Sequence, residues 1–183
     1  MICVSVKCSD GSAKKHPSDE PLKKEKLIST VIRWAAGLTV LAVILLNIFS
    51  HTLQVVHYNG QGMEPNLHNR QILLLWKTQN VKEGDIVAFY YNNQVLVRRV
   101  ICQGGSQIMI ERDGAVQING SKLDEPYVKQ PSFGQCSISL PCYVPINHVF
   151  VMGDYREIAM DSRLKEIGPI PTERIIGKVV IDF

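Results

Sequence analysis

An all-β domain on a single N-terminal membrane helix is the architecture this sequence predicts, and three observations carry the prediction. Residues 34–49 form an uninterrupted uncharged, apolar run. Lys and Arg crowd the segment before that run and do not reappear until Arg70. After residue 50, helical periodicity gives way to short β-rich runs separated by turn residues.

Residues 1–26 are polar, with Lys-Lys pairs and Pro17 and Pro21, and are expected to be a disordered cytoplasmic tail. Residues 27–50 are expected to be the anchor. Val31, Ile32 and a snorkelling Arg33 extend the apolar run toward the ~20 residues a bilayer requires. The run is apolar all round, which sets it apart from a core helix with one buried stripe. The positive-inside bias places the N-terminus in the cytoplasm and the main domain outside the cell. No small-x-small site follows the span, so an uncleaved anchor is expected rather than a removed signal peptide.

Residues 51–183 are expected to fold as the extracytoplasmic β-domain. Candidate strands are Leu53–Tyr58, Gln71–Trp76, Asp85–Tyr91, Gln94–Ile101, Ile108–Arg112, Ala115–Ile118, Val149–Met152 and Ile176–Ile181. Asn92-Asn93 and Asp113-Gly114 read as two-residue hairpin turns. Arg163–Glu166 or Thr172–Arg174 can hold a short helical turn. The run Leu73-Leu74-Leu75-Trp76 reads as core, with a membrane-facing strand as the alternative.

Residues 1–56 hold seven Lys/Arg and four Asp/Glu, whereas residues 57–183 hold thirteen of each. The folded part is therefore neutral, with no basic stripe, and nucleic acid is not an expected partner.

The chemistry-bearing segments are Gly62-Met63-Glu64-Pro65-Asn66-Leu67, Glu83-Gly84-Asp85-Ile86-Val87, Val97-Arg98-Arg99-Val100-Ile101, Ile118-Asn119-Gly120, Glu125-Pro126-Tyr127, Gly153-Asp154-Tyr155-Arg156, Asp161-Ser162-Arg163 and Gly168-Pro169-Ile170-Pro171. In this order they resemble the boxes of the bacterial type I signal peptidases, the serine peptidase family S26. The resemblance runs from about residue 55 to the C-terminus and implies a signal peptidase I-type (LexA/signal peptidase-like) β-domain. In that family a serine attacks the scissile carbonyl and a neutral lysine takes its proton. Here the nucleophile-equivalent position is Gly62 and the base-equivalent position is Arg98. Glycine has no nucleophile, and arginine stays protonated at any usable pH. The serine that orients the lysine is matched by Ala159. No catalytic residue is intact.

The resemblance also implies a peptide groove at Gln61, Gly62, Met63, Pro65, Leu96 and Arg98, where an extended peptide would add as a strand. Asp154, Arg156, Asp161 and Arg163 read as an ion-pair network behind the old site. Their spacing offers too few ligands for a metal, and no cofactor is expected. The remaining serines and histidines form no Gly-x-Ser-x-Gly elbow, and Ser162 reads as a turn hydrogen-bonder. Cys3 and Cys8 fall on the cytoplasmic side and are expected to be reduced. Cys136 and Cys142 are close enough in sequence to bridge, and the resemblance to family members with a bridge here favours a disulfide. Cys102 reads as a small buried hydrophobe.

Loss of both dyad residues looks like the SipA-type signal peptidase-like proteins that accompany pilin and sortase genes in Gram-positive bacteria. That resemblance implies a membrane-anchored, non-catalytic chaperone or adaptor. Its expected partners are an exported protein or pilin precursor peptide, a sortase, and membrane lipid. The alternative is a working signal peptidase that uses unorthodox residues.

Overall fold

The structure is a computed structural model that describes residues 19–182, with side chains for residues 27–180. Most of the expected tail, Cys3 and Cys8 included, lies outside the described residues. The backbone of residues 19–26 is helical, so the helix α1 spans Asp19–Thr52 and starts before the expected anchor boundary. Its segment Leu27–Thr52 has a mean hydropathy of 2.0, and by length and composition it can cross a membrane. At 1.5 Å per residue this segment is about 39 Å long, more than the ~30 Å of a hydrocarbon core. Trp34, Leu38, Val43, Leu46 and Phe49 are all exposed, with no stripe turned inward.

Among the described residues the β-domain holds eleven strands. They are β1 Leu53–His57, β2 Ile72–Trp76, β3 Ile86–Tyr91, β4 Gln94–Gln103, β5 Gln107–Ile110, β6 Val116–Ile118, β7 Ser121–Lys122, β8 Cys142–Tyr143, β9 His148–Met152, β10 Ile170–Pro171 and β11 Ile175–Asp182. Seven of them form an antiparallel sheet in the order β1-β2-β11-β3-β4-β9-β10, and four form a second in the order β7-β6-β5-β8. The eight expected strands are all present with ends shifted by one or two residues. The three missed strands, β7, β8 and β10, are two residues long and have no pattern to read. Thr172–Arg174 is a 3-10 turn. The Asn92-Asn93 turn carries φ values of 46° and 60°, the left-handed pair that a type I′ hairpin requires.

Strand alternation divides the core. On β3, Val87 and Phe89 pack with Val100, Val149 and Val151. Ala88, between them, packs with Tyr58, Met63, Leu67, Leu73, Leu75 and Val97. A third cluster joins the two sheets through Ile101, Ile108, Ile110, Phe150 and Met152. The run at residues 73–76 alternates as well. Leu73 and Leu75 are fully buried, whereas Trp76 is half exposed.

One feature of the large sheet positions the site. β4 pairs with β3 from Gln94 to Arg99. On its other edge it meets β9 only from Arg99 onward. The backbone from Gln94 to Arg98 therefore has no strand on the β9 side.

Candidate functional site

Gly62 and Arg98 come together, and they do so by volume exchange. A Cβ placed on Gly62 would lie 3.1–3.3 Å from the Arg98 guanidinium atoms Nη2, Cζ and Nη1. A side chain added at residue 62 would thus press against the Arg98 guanidinium. Gly62 is itself buried, and Arg98 is only 6% exposed. Arg98 Nε donates to the Met160 carbonyl at 2.8 Å, and Nη1 donates to the Val97 carbonyl. The Tyr58 hydroxyl lies beside the same guanidinium and accepts from the Met63 N–H at 3.1 Å.

Burial lowers the Arg98 pKa from its ordinary value, and Asp161 and Tyr58 oppose that shift. A guanidinium starts so high that it remains a cation at neutral pH. Tyr58 is raised by burial, against the pull of Arg98, and stays a neutral phenol. No ion pair among the described residues includes Arg98. The pocket at Gly62 therefore holds a buried positive charge without an ion-pair partner among the described residues.

The loop behind the site is built from three ion pairs. Asp161 accepts from Arg163 Nε at 2.9 Å and Nη2 at 2.8 Å, and also from the Arg163 and Gly153 N–H groups. Its four acceptor positions are filled. Arg156 grips Glu125 with two bonds of 3.0 and 2.6 Å and donates to the Gly153 carbonyl. Asp154 takes two bonds from Arg99, at 2.9 and 2.6 Å, and one from Asn66. Arg99 also lies over the Tyr127 ring at 4.2 Å. The four residues singled out in the sequence do form the network, but only Asp161 and Arg163 pair with each other. Arg99, Glu125 and Asn66 complete it and were missed as partners.

This loop is pinned to Gly62. The Tyr155 N–H donates to the Gly62 carbonyl at 3.0 Å. A Cβ on Gly153 would come within 2.3 Å of the Ala159 methyl and 2.4 Å of the Gly62 oxygen, so only glycine fits there. Ala159 is buried against this contact and carries nothing that could orient an amine. Ser162 is fully buried, and its Oγ accepts from the Val151 N–H, as a turn hydrogen-bonder does.

The six groove residues do not share one surface. Gln61 is exposed beside Gly62 and Arg98, and Leu96 lies half-buried on the open part of β4. Met63 is fully buried in the core, so its side chain serves packing and not a groove. Pro65 lines a separate pocket of about 190 Å³ with Glu64, Lys129, Gln130, Asp154 and Tyr155. Tyr58 and Met160, which hold Arg98, were not read from the sequence. The only signal for Tyr58 was a polar-tipped aromatic ending a strand four residues before Gly62.

The expected disulfide is absent. Cys136 and Cys142 are free thiols, as is Cys102. The Cys142 Sγ contacts the Tyr143 carbonyl at 3.7 Å, and both half-buried thiols are raised in pKa by burial. Sequence proximity alone did not bring the sulfurs into a bond. Cys102 is buried, and its pKa is pushed up to about 12. In a native alkylation at pH 8, Cys102 should stay unlabelled until the domain unfolds, while Cys136 and Cys142 react first. Labelling of Cys102 as fast as the other two would contradict its burial.

The model of the family described as signal peptidase, peptidase S26, matches residues 31–183. The chain belongs to this family. Relatives within the signal peptidases include signal peptidase I T of Bacillus subtilis, 33% identical over 177 residues, covering 89% of this chain and 90% of that protein. Signal peptidase I of Bacillus amyloliquefaciens is 32% identical, covering 81% and 85%. Signal peptidase IB of Staphylococcus aureus strain COL is 30% identical, covering 88% and 91%. A solved signal peptidase I from Enterococcus faecalis V583 aligns at 26% identity and a TM-score of 0.47, over 55% of this chain and 97% of that one.

Proposed function

We propose that this signal peptidase I-like protein is non-catalytic and acts as a membrane-anchored adaptor for exported polypeptides. The observation that carries the reading is the Arg98 guanidinium in the place of a nucleophile's side chain at Gly62. Residue 62 itself offers no hydroxyl, and the neighbouring guanidinium is permanently protonated. Peptide recognition by strand addition needs neither group. The open edge of β4, beginning at Gln94, supplies unpaired backbone for it. In this reading α1 is the anchor, with the N-terminus cytoplasmic and the β-domain outside. The partner class is a pilin precursor or another exported chain, delivered to a sortase during pilus assembly.

Photocrosslinking in cells from an exposed probe at Gln61 tests the reading. Exported precursor polypeptides should be captured there and not from a probe at Lys122 on β7. Gly62→Ala should leave capture nearly unchanged, because the Cβ meets only the flexible end of Arg98. Gly62→Trp should reduce capture at least tenfold, in a chain shown to be folded by resistance to proteolysis. Equal capture by both variants would place the working surface elsewhere.

A further inference from the structure

We infer that the site at Gly62 and Arg98 receives the free C-terminal carboxylate of a bound peptide, not an internal peptide bond. The inference rests on the groove proposed above and says which ligand the groove takes.

Three observations converge on it. The first is steric. The open edge of β4 starts at Gln94 and is closed at Val97, whose carbonyl is taken by Arg98. The guanidinium also fills the place beside Gly62. A peptide lying along this edge toward Gly62 meets a blocked end, where a chain terminus fits and a continuing chain does not.

The second is electrostatic. Arg98 is more than nine-tenths buried and has no ion-pair partner among the described residues. Asp161 is the nearby carboxylate, but its oxygens are filled by Arg163 and Gly153. Asp161 and Arg163 cancel each other, the Tyr58 phenol is neutral, and one positive charge is left over. Removing a cation from water without a counter-ion is unfavourable, so the site favours an incoming anion. The protein acceptors bonded to Arg98, the Val97 and Met160 carbonyls and the Tyr58 phenol, are all neutral.

The third is the donor set. The Gly62 N–H donates to no acceptor among the described residues, although the Gly62 carbonyl is bonded to Tyr155. The guanidinium is a close neighbour of Gly62, since a Cβ on that residue would lie 3.1–3.3 Å from it. A carboxylate there could accept from both, one oxygen to each. Charge-assisted bonds of this kind favour an ionised acceptor over a neutral carbonyl.

The test compares short peptides binding to the full chain in detergent micelles, read by fluorescence anisotropy at neutral pH. The probes are a labelled heptapeptide ending in alanine as the free acid, the same peptide as the C-terminal amide, and that amide with aspartate at the penultimate position. The free acid should bind at least tenfold more tightly than either amide. Arg98→Met should erase the difference, and Arg98→Lys should keep part of it. Equal affinity of acid and amide would overturn the inference and leave the groove standing. Equal affinity of the acid and the aspartyl amide would also overturn it, because the site would then read a side chain. Failure of all three peptides to bind would overturn the groove reading together with the inference. The acid–amide comparison on the unmodified chain needs no variant to fold.

Discussion

Asp161→Ala should be among the most destabilising single changes in the β-domain, at about 3–5 kcal/mol. The carboxylate is fully buried and accepts four hydrogen bonds. Its loss strands the buried Arg163 guanidinium as well as the Gly153 and Arg163 N–H groups. Arg163 cannot escape to water, because its other nitrogens hold the Phe133 and Arg156 carbonyls and its side chain is fully enclosed. Asp154→Ala should cost less, about 1–3 kcal/mol, because its partner Arg99 keeps some exposure and can turn outward. Urea unfolding of the full chain in detergent, followed by β-sheet circular dichroism, checks both. With an m-value near 2 kcal/mol/M, the Asp161→Ala midpoint should fall by about 2 M. A loss below about 1 kcal/mol would mean that the loop does not depend on this pair.

On the non-catalytic reading proposed above, the largest functional effect should come from installing a serine, a lysine and a second serine at residues 62, 98 and 159. Gly62→Ser alone should give no peptidase activity. Its side chain starts in tight contact with Arg98, and no base stands beside it. Gly62→Ser with Arg98→Lys should give weak cleavage of a signal-peptide substrate, because a shorter, deprotonatable amine replaces the guanidinium. Adding Ala159→Ser should raise the rate about tenfold or more, since a hydroxyl would then orient the amine. Ala159 is in contact with Gly153, so the extra oxygen has to fit beside a close-packed turn. A double variant already as fast as the triple would show that position 159 has no orienting role.

Much of this was legible in the chain. β3 and β4 are long alternating runs joined by Asn92-Asn93, and each step of that pattern has a local cause. Gly62 and Arg98 stood out by residue type, but nothing in their spacing said that one fills the other's space. The ion pairs show the limit best. Asp154 and Arg156 are neighbours in sequence, yet they pair with Arg99 and Glu125, 55 and 31 residues away. Such pairing follows from where the chain brings β4 and the residue 123–128 segment against this loop, which local pattern does not encode. The family resemblance implies Met63 as a groove residue, whereas its apolar side chain belongs to the core. The bridge between Cys136 and Cys142 was likewise inferred from proximity and resemblance, while bond formation depends on geometry that neither supplies.

The central claim is that the arginine-filled site does no chemistry. The most direct measurement is turnover of a signal-peptide-bearing preprotein by the full chain in lipid vesicles, beside the Gly62→Ser, Arg98→Lys, Ala159→Ser triple variant. The unmodified chain should show no cleavage above a protein-free control while the triple variant cleaves. Cleavage by the unmodified chain at the signal-peptide junction, surviving repurification, would contradict the account.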